Sequence, residues 1–517
     1  MNNKRSNTPL LLAILDGWGI GKPSRGNAIT LGKTPNYDKW WRHYSHTKLF
    51  TSGQYVGLPR AQFGNSEAGH LNLGAGRVVK QDSVRISDAI KDGRFAKNPA
   101  FLTGLQHLQK YKGRAHVMGL LSGSESAHAE RGHLLAVLQL LADHKIREVY
   151  LHLFTDGRDA PQHDAIKFVR EVQKGFCNGE RIVSIVGRYY AMDRNKRWGN
   201  TERAYELLTR GKGYWAPNPE EAIMQAYNRK ETDEFIEPTS IRPKESDKPI
   251  VIKDNDIIIF YNLRSDRARQ LAKTFVQSDF NKSNLGSFIR KPVLSNIKFI
   301  AMTDFGPDLD EIITAFPSED LKETLPMMLK DLRQLYIAES EKFAHVTYFF
   351  NGGYANPVNN EKRSLIPSPH LKSYADKPAM SINHLADTLL SNIKEDKFDF
   401  YCVNFANPDM IGHTGDLEAA IQAVEVVDEV IGKIQSALAA VGGTMIITAD
   451  HGNIEAMIDL KTGEVNTEHT DNPVPFIIIN EHKYRLRRGG SLANVAPTIL
   501  DLLDLPKSKL MTKSLLK

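Results

Sequence analysis

The sequence predicts an α/β protein of two domains, and three observations support that prediction. Short apolar runs alternate with helix-like stripes through most of the 517 residues, the pattern of largely parallel sheets covered by helices. Charged and metal-binding side chains repeatedly follow those runs, at the place where open parallel sheets bind ligands. Metal-type residues fall early and late, with an arginine-rich series between them. The expected organisation is therefore one domain built from both chain ends, 1–80 and 315–517, with a second, 81–314, inserted into it.

Bulk properties narrow the class. At 41% apolar and 25% charged residues with no low-complexity tract, each domain can bury its own core. The net charge of +6, from 67 basic against 61 acidic residues, is spread along the chain. It suits acidic small ligands and lacks the clustered basic face of a nucleic-acid binder. Cys177 and Cys402 are the only cysteines, so no disulfide framework exists and a reducing, cytoplasmic setting is expected. The start "MNNKRSNTPLLLAILDGWG" imitates a signal peptide, but its apolar run Leu10 to Leu15 stops at Asp16 and reads as a buried first strand. No window reaches the roughly 18 to 20 apolar residues of a membrane span.

The elements follow in order. Gly64 allows a tight strand-to-helix turn into a helix that begins near Ser66. The runs "VMGLL" (117–121), "EVYLHLF" (148–154), "IVSIVG" (182–187) and "DIIIFYN" (256–262) read as strands, each leading through a loop to a helix-compatible stretch. The polar segment 228–249 reads as a surface excursion. "FDFYCVNF" (398–405) is a strand, and Leu417, Ile421, Val424, Val427, Ile431, Ile434, Leu438 and Val441 form one helical stripe. "GG" at 442 and 443 ends that helix and "TMIITAD" returns as a strand.

Three apolar runs lead to Asp16, to Asp409, and to Asp450 with His451. Asp409 and His413, four apart, share one helical face, and His469 sits in "EHTDNPVPF". A single Asp or His is more often a cap or a hydrogen-bonded core group; six converging on one edge favour a metal site. Carboxylates with neutral imidazoles suit manganese, cobalt or zinc. Ser66, in "FGNSEAGH", is either the N-cap of its helix or a nucleophile that paired metal ions would ionise.

The middle region carries "FTDGRDAP", with Arg158 and Asp159; "GRYYAMDRNKRW", with Arg188 and Arg194; and "YNLRSDRARQ", with Arg264 and Arg267. Any one of these arginines alone reads as solvated. Repeated after successive strands, they make a forked donor set for phosphate and carboxylate. Asp159 among them is either their counter-ion or an acid/base group.

These residues resemble the cofactor-independent, metal-dependent phosphoglycerate mutases of the alkaline phosphatase superfamily. The likeness covers nearly the whole chain: "ILDGWG", "GNSEAGHLNLGAGR", "DGRD", "GRYYAMDRNKRW", "RSDRARQ", "AESEKFAHVTYFFNGG", "IPSP", "NFANPDMIGHTG", "TADHGN" and "EHTDNPVPF" occur in order. It implies an alkaline-phosphatase-like domain holding two manganese ions, with cobalt or magnesium as substitutes, and an inserted substrate-binding domain. Asp409, His413 and His469 would hold one ion, and Asp16, Ser66, Asp450 and His451 the other. Ser66 would carry the phosphoryl group between the hydroxyls of glycerate, converting 3-phosphoglycerate to 2-phosphoglycerate without bisphosphoglycerate. His128, Arg158, Asp159, Arg188, Arg194, Arg264 and Arg267 would hold the glycerate, with Asp159 shuttling its hydroxyl proton. Lys342 would neutralise the phosphoryl oxygens, and only the resemblance singles it out.

One stretch departs from the family. Members read S-D-G-G-V-H-S-H where this chain has "SGSESAHAERGH" (122–133), so Gly123 replaces an Asp and aligning His128 takes one extra residue. A monomer acting on a small molecule, without nucleic acid or membrane, is the expected state. The nearest rival is a phosphomonoesterase or phosphopentomutase with the same metal centre.

Overall fold

The structure, a computed structural model, describes residues 8–123, 126–306, 308–309, 311–318 and 320–517, so most of the basic start lies outside it. The chain forms two compact units, Met1–Gln81 with Asp320–Lys517, and Asp82–Glu319. A boundary at 315 would cut the strand Ile312–Phe316, which pairs with Lys298–Thr303 in the second unit. The crossing lies beyond that strand.

The first unit is built on an eight-stranded sheet, in the order Glu361–Ile366, Gln334–Glu339, Phe400–Phe405, Leu10–Leu15, Thr444–Thr448, Val474–Ile479, Ser45–Phe50 and Gly490–Ser491. Leu10–Leu15 is buried at every residue and pairs in parallel on both sides, with Phe400–Phe405 and Thr444–Thr448. A strand covered on both faces has no polar face to keep, hence its unbroken apolar run. Burying each of its leucines contributes about 1.5–3 kcal/mol, and Leu12→Ala would cost about 2–5 kcal/mol through the cavity it leaves. Val474–Ile479 runs antiparallel to both its neighbours, so the sheet is mixed. The long helix Leu417–Ala440 starts at Asp416, which accepts from the Ala419 amide, and buries Val424, Val427, Ile431, Ile434 and Leu438. Gly442, at φ +73°, stands just past its end.

The second unit has its own eight-stranded sheet, ordered Ile312–Phe316, Lys298–Thr303, Ile257–Phe260, Ala115–Leu121, Val149–Thr155, Arg181–Gly187, Thr239–Ile241 and Tyr214–Ala216. Its pairings are parallel except Arg181–Gly187 with Thr239–Ile241. That exception corrects the reading of 228–249 as a surface excursion. Thr239–Ile241 is buried within the sheet, and Asp233 is buried as well, accepting from the Ala165 amide at 2.8 Å and the Tyr227 hydroxyl at 2.6 Å. Three residues are too few to leave an apolar run in the sequence. Among the described residues no helix is long and apolar enough to cross a membrane.

Candidate active site

Four neighbouring strands of the first sheet run parallel and end at one edge: Gln334–Glu339, Phe400–Phe405, Leu10–Leu15 and Thr444–Thr448. The turns that follow carry Lys342, Asp409, Asp16, and Asp450 with His451, in that spatial order. All are buried. Gly17 lets the chain turn directly after Asp16: its φ is +74°, and a Cβ there would lie 2.9 Å from the Asp409 Cα. A Cβ on Gly64 would lie 2.2 Å from the Thr51 carbonyl oxygen, so close approach, not a left-handed turn, demands that glycine.

Ser66 is not a cap. The helix is Ser66–Ala75, and its N-cap is Asn65, whose Oδ1 accepts from the Ala68 amide at 2.9 Å. The Ser66 hydroxyl is thereby released to the edge. It lies 2.9 Å from His451 Nε2 and 3.3 Å from Asp16 Oδ1, and it accepts from Lys342 Nζ at 2.8 Å. Lys342 Nζ also donates to Asp16 Oδ1 at 2.8 Å and Asp409 Oδ2 at 2.6 Å.

The histidines show what is missing from this set. His413 Nδ1 lies 2.8 Å from the Thr467 carbonyl oxygen and His469 Nδ1 lies 2.8 Å from that of Gly64. A carbonyl oxygen only accepts, so both Nδ1 atoms carry a proton, and each ring in its neutral form presents an Nε2 lone pair. Those two lone pairs face each other at 3.1 Å, and both face Asp409 Oδ1, at 3.3 and 3.4 Å. Three acceptors converging on one point without a proton among them are what a cation needs. Nearby, Asp450 Oδ2 is buried without a hydrogen bond, 3.4 Å from His451 Nε2. Three buried carboxylates share one lysine, so the edge fits divalent cations.

The ionisation of these groups follows from burial and their neighbours. Burial, with Asp450 beside it, pushes the Asp16 carboxyl up to about 7. Burial acts upward on Asp409 too, but the Lys342 charge beside it holds it well below the usual carboxylate range. Burial likewise opposes the Lys342 charge, yet Asp16, Asp409 and Asp450 raise it. Burial pushes His451 down to about 4, so it is neutral and able to ligate.

Ligand atoms of Asp409, His451 and His469 lie within 4.8 Å of one another, and so do those of Asp16, His70 and Asp450. His451 stacks on His469 at 3.8 Å and reaches toward both groups. His70 is the residue sequence reasoning missed. Its Nδ1 is 2.9 Å from the Ser66 carbonyl oxygen and its Nε2 accepts from Asn404 Nδ2 at 3.0 Å, so both ring nitrogens are already engaged. Asn404 also donates to Asp16 Oδ2 at 2.7 Å. His70 and Asn404 therefore aim the ligands. Glu455, also missed, ties three loops together: it accepts from the amides of Gly19 at 3.1 Å and Asn453 at 2.9 Å, from Asn472 Nδ2 at 2.9 Å, and from the Thr470 hydroxyl. The spacing of His70 from Ser66, one helical turn, was the available signal.

The second unit repeats the arrangement with opposite charge. Its neighbouring strands Ile257–Phe260, Ala115–Leu121, Val149–Thr155 and Arg181–Gly187 lead to Arg264 and Arg267, to His128, to Arg158 and Asp159, and to Arg188 with Arg194. Arg188 Nη1 meets Asp156 Oδ1 at 2.6 Å and Asp159 Oδ2 at 2.9 Å. Arg194 pairs with Asp266 at 2.7 Å, Arg264 stands 3.9 Å from Asp266, and Arg158 is 3.6 Å from Glu234. Burial first, then the positive charges of Arg188, Arg194 and Arg158, lower the Arg267 guanidinium. Burial pushes His128 down to about 4. Its amide donates to Ser126 Oγ at 3.2 Å and its carbonyl accepts from the Leu263 amide at 2.7 Å, which anchors it beside Arg264. Ser124 and Glu125 of the altered loop lie outside the described residues.

Comparisons with known proteins point to one family. The family model of the metalloenzyme superfamily matches residues 8–507. The 2,3-bisphosphoglycerate-independent phosphoglycerate mutase 1 of Methanosarcina acetivorans is 45% identical, covering 98% of this chain and 98% of its own. The corresponding Clostridium kluyveri protein is 44% identical over 98% of this chain and 99% of its own. A crystal structure of Leishmania mexicana phosphoglycerate mutase at low cobalt concentration superposes with a TM-score of 0.73 at 29% identity, covering 100% of this chain and 99% of that one.

Proposed function

The chain belongs to the metalloenzyme superfamily and, within it, to the 2,3-bisphosphoglycerate-independent phosphoglycerate mutases; from that premise we propose how its own residues interconvert 3-phosphoglycerate and 2-phosphoglycerate. Ser66 Oγ gives up its hydroxyl proton and attacks the phosphorus, the bond from phosphorus to the glycerate oxygen breaks, and that oxygen takes up a proton in exchange for the one the serine released. The phosphoryl group rests on Ser66 while the glycerate turns. The other glycerate hydroxyl then gives its proton to Asp159 and attacks the phosphorus, the bond from phosphorus to Ser66 Oγ breaks, and Oγ regains a proton, restoring the serine. The observation that carries this reading is that the Ser66 hydroxyl, relieved of capping by Asn65, stands within hydrogen-bond reach of Lys342, Asp16 and His451.

Asp409, His413 and His469 hold one manganese ion, and Asp16, Ser66, Asp450 and His451 a second, with cobalt or magnesium as substitutes. When bound, the ions lower the pKa of the Ser66 hydroxyl and draw charge from the phosphoryl oxygens. Lys342 places a fixed positive charge 2.8 Å from Ser66 Oγ, where negative charge develops in both half-reactions. His128, Arg158, Arg188, Arg194, Arg264 and Arg267 hold the carboxylate and hydroxyls of glycerate, Arg forks being suited to carboxylate. Asp159 moves the hydroxyl proton.

A coupled assay on 3-phosphoglycerate without bisphosphoglycerate, before and after chelation and manganese re-addition, tests the reading. Formation of 2-phosphoglycerate that stops with chelator and returns with manganese supports it. Release of free phosphate in place of 2-phosphoglycerate would replace the mutase with a phosphomonoesterase.

A further inference from the structure

Asp156 is more deeply buried than Asp159: their side chains are 1% and 28% exposed. Its Oδ1 accepts from Arg188 Nη1 at 2.6 Å and from the backbone amides of Arg158 at 3.1 Å and Asp159 at 3.0 Å. Its Oδ2 accepts from the Ser122 hydroxyl. Both oxygens are thus engaged by the protein, with three of those bonds going to residues assigned to glycerate. Asp159 differs in this respect. Its contacts to Arg188 and to Ser126 Oγ, both at 2.9 Å, fall on Oδ2 alone among the described residues.

Arg188 is 2% exposed, and a cation so buried requires a counter-charge. Asp156 and Asp159 both stand close enough to supply it. Of the two, Asp156 is the one enclosed enough to do so permanently, and among the described residues Asp159 is the one with an oxygen that takes no contact. We propose that Asp156 is the positioning residue of the glycerate site: it is the fixed counter-ion of Arg188 and holds the turn carrying Arg158 and Asp159, which leaves Asp159 able to exchange a proton. This assignment rests on the phosphoglycerate mutase reading and resolves whether Asp159 is counter-ion or acid/base. Among the described residues, the charged and polar groups facing Asp159 are Arg188, His128, Ser126 and, through the shared guanidinium, Asp156. Burial acts to raise the Asp159 carboxyl, while Arg188, Ser126 and His128 hold it below its ordinary value.

Asp156→Asn keeps the shape and an acceptor for the two amides but removes the charge. Arg188 then falls wholly to Asp159, which is locked into the pair. The expected result is a folded enzyme with kcat for phosphoglycerate interconversion down about 10- to 100-fold, the loss of one charge-assisted pairing. The acid limb of its kcat profile moves down by about one pH unit as Asp159 loses a negative neighbour. A purely structural role would lower the melting temperature and leave the limb in place. Asp156→Ser, which also removes the charge and is smaller, gives a shift in the same direction and serves if Asp156→Asn does not fold. A folded variant of either kind with wild-type kcat and an unmoved acid limb would overturn the assignment. Wild-type enzyme assayed alongside separates the two readings: if it fails to interconvert phosphoglycerates, the function itself falls, and this assignment with it.

Discussion

The two sheet edges are alike in construction and opposite in charge. In each, neighbouring parallel strands deliver functional side chains to the turns beyond their ends. The first unit gathers Asp16, Asp409 and Asp450 around one buried lysine, and its imidazole lone pairs meet with no proton between them. The second gathers Arg158, Arg188, Arg194, Arg264 and Arg267 around Asp156, Asp159, Glu234 and Asp266, and most of these side chains are partly exposed. Burial explains the contrast. A buried excess of carboxylate is tolerable only when a cation completes it, whereas partly exposed guanidiniums can wait in water for an anionic ligand. On the proposed function, the first edge would serve ions and chemistry, and the second recognition.

That division is most sharply tested by Lys342. Lys342→Ala removes the positive charge beside Ser66 and leaves Asp16 and Asp409 facing each other. Activity on phosphoglycerate should fall about 10²- to 10³-fold, as when a preorganised donor is lost, with KM little changed; steady-state kinetics checks both. Next in size is metal removal. An ion present at a hundred times its Kd contributes about 2.7 kcal/mol, so chelation should lower the melting temperature of the first unit and leave a transition of the second unit in place. Equal loss from both in calorimetry would break the comparison.

Arg264→Ala addresses the recognition edge. Losing a charge-assisted contact is worth about 10- to 100-fold in mutase activity, and any hydrolysis of a simple phosphate ester should fall much less. Equal loss of the two activities would contradict the division of labour. The smallest effect concerns a buried chain within the second sheet. Asp256 Oδ2 meets His116 Nε2 at 3.0 Å, His116 Nδ1 meets His152 Nε2 at 2.9 Å, and His152 Nδ1 meets Ser184 Oγ at 2.7 Å. Burial holds both histidines below their ordinary 6.5. The unfolded chain therefore takes up protons first, and this stability is complete above pH 6.5 and is lost as pH falls below it. His152→Gln should flatten the slope by up to about 1.4 kcal/mol per pH unit in thermal melts as pH falls below 6.5. KM should not move, since this chain lies within the strands and not at the arginine edge.

The strands that carry both sites were legible because they are buried on two faces and so read as unbroken apolar runs. Their ends then pointed to Asp16, Asp409, Asp450 and the arginines. Ser66 was ambiguous because Asn65 and Ser66 are both good caps, and one residue of register decides which of them faces the edge. His70 was hidden because a histidine in a helix rich in Ala, Gly and Leu resembles a core residue. Thr239–Ile241 was hidden by its length, and the crossing near 320 by a loop without a change in composition. The role of Asp156 depends on Arg188 and Ser122, both distant in sequence, so only the fold brings the three together.

The central claim is that Ser66 carries the phosphoryl group. The direct test is to acid-quench the manganese-loaded enzyme during turnover of phosphoglycerate and measure the mass of the peptide containing Ser66. The account predicts one added phosphoryl group on Ser66, absent without substrate and absent in Ser66→Ala. An active enzyme whose phosphate sits on another residue, or a Ser66→Ala enzyme that keeps its mutase activity, would contradict it.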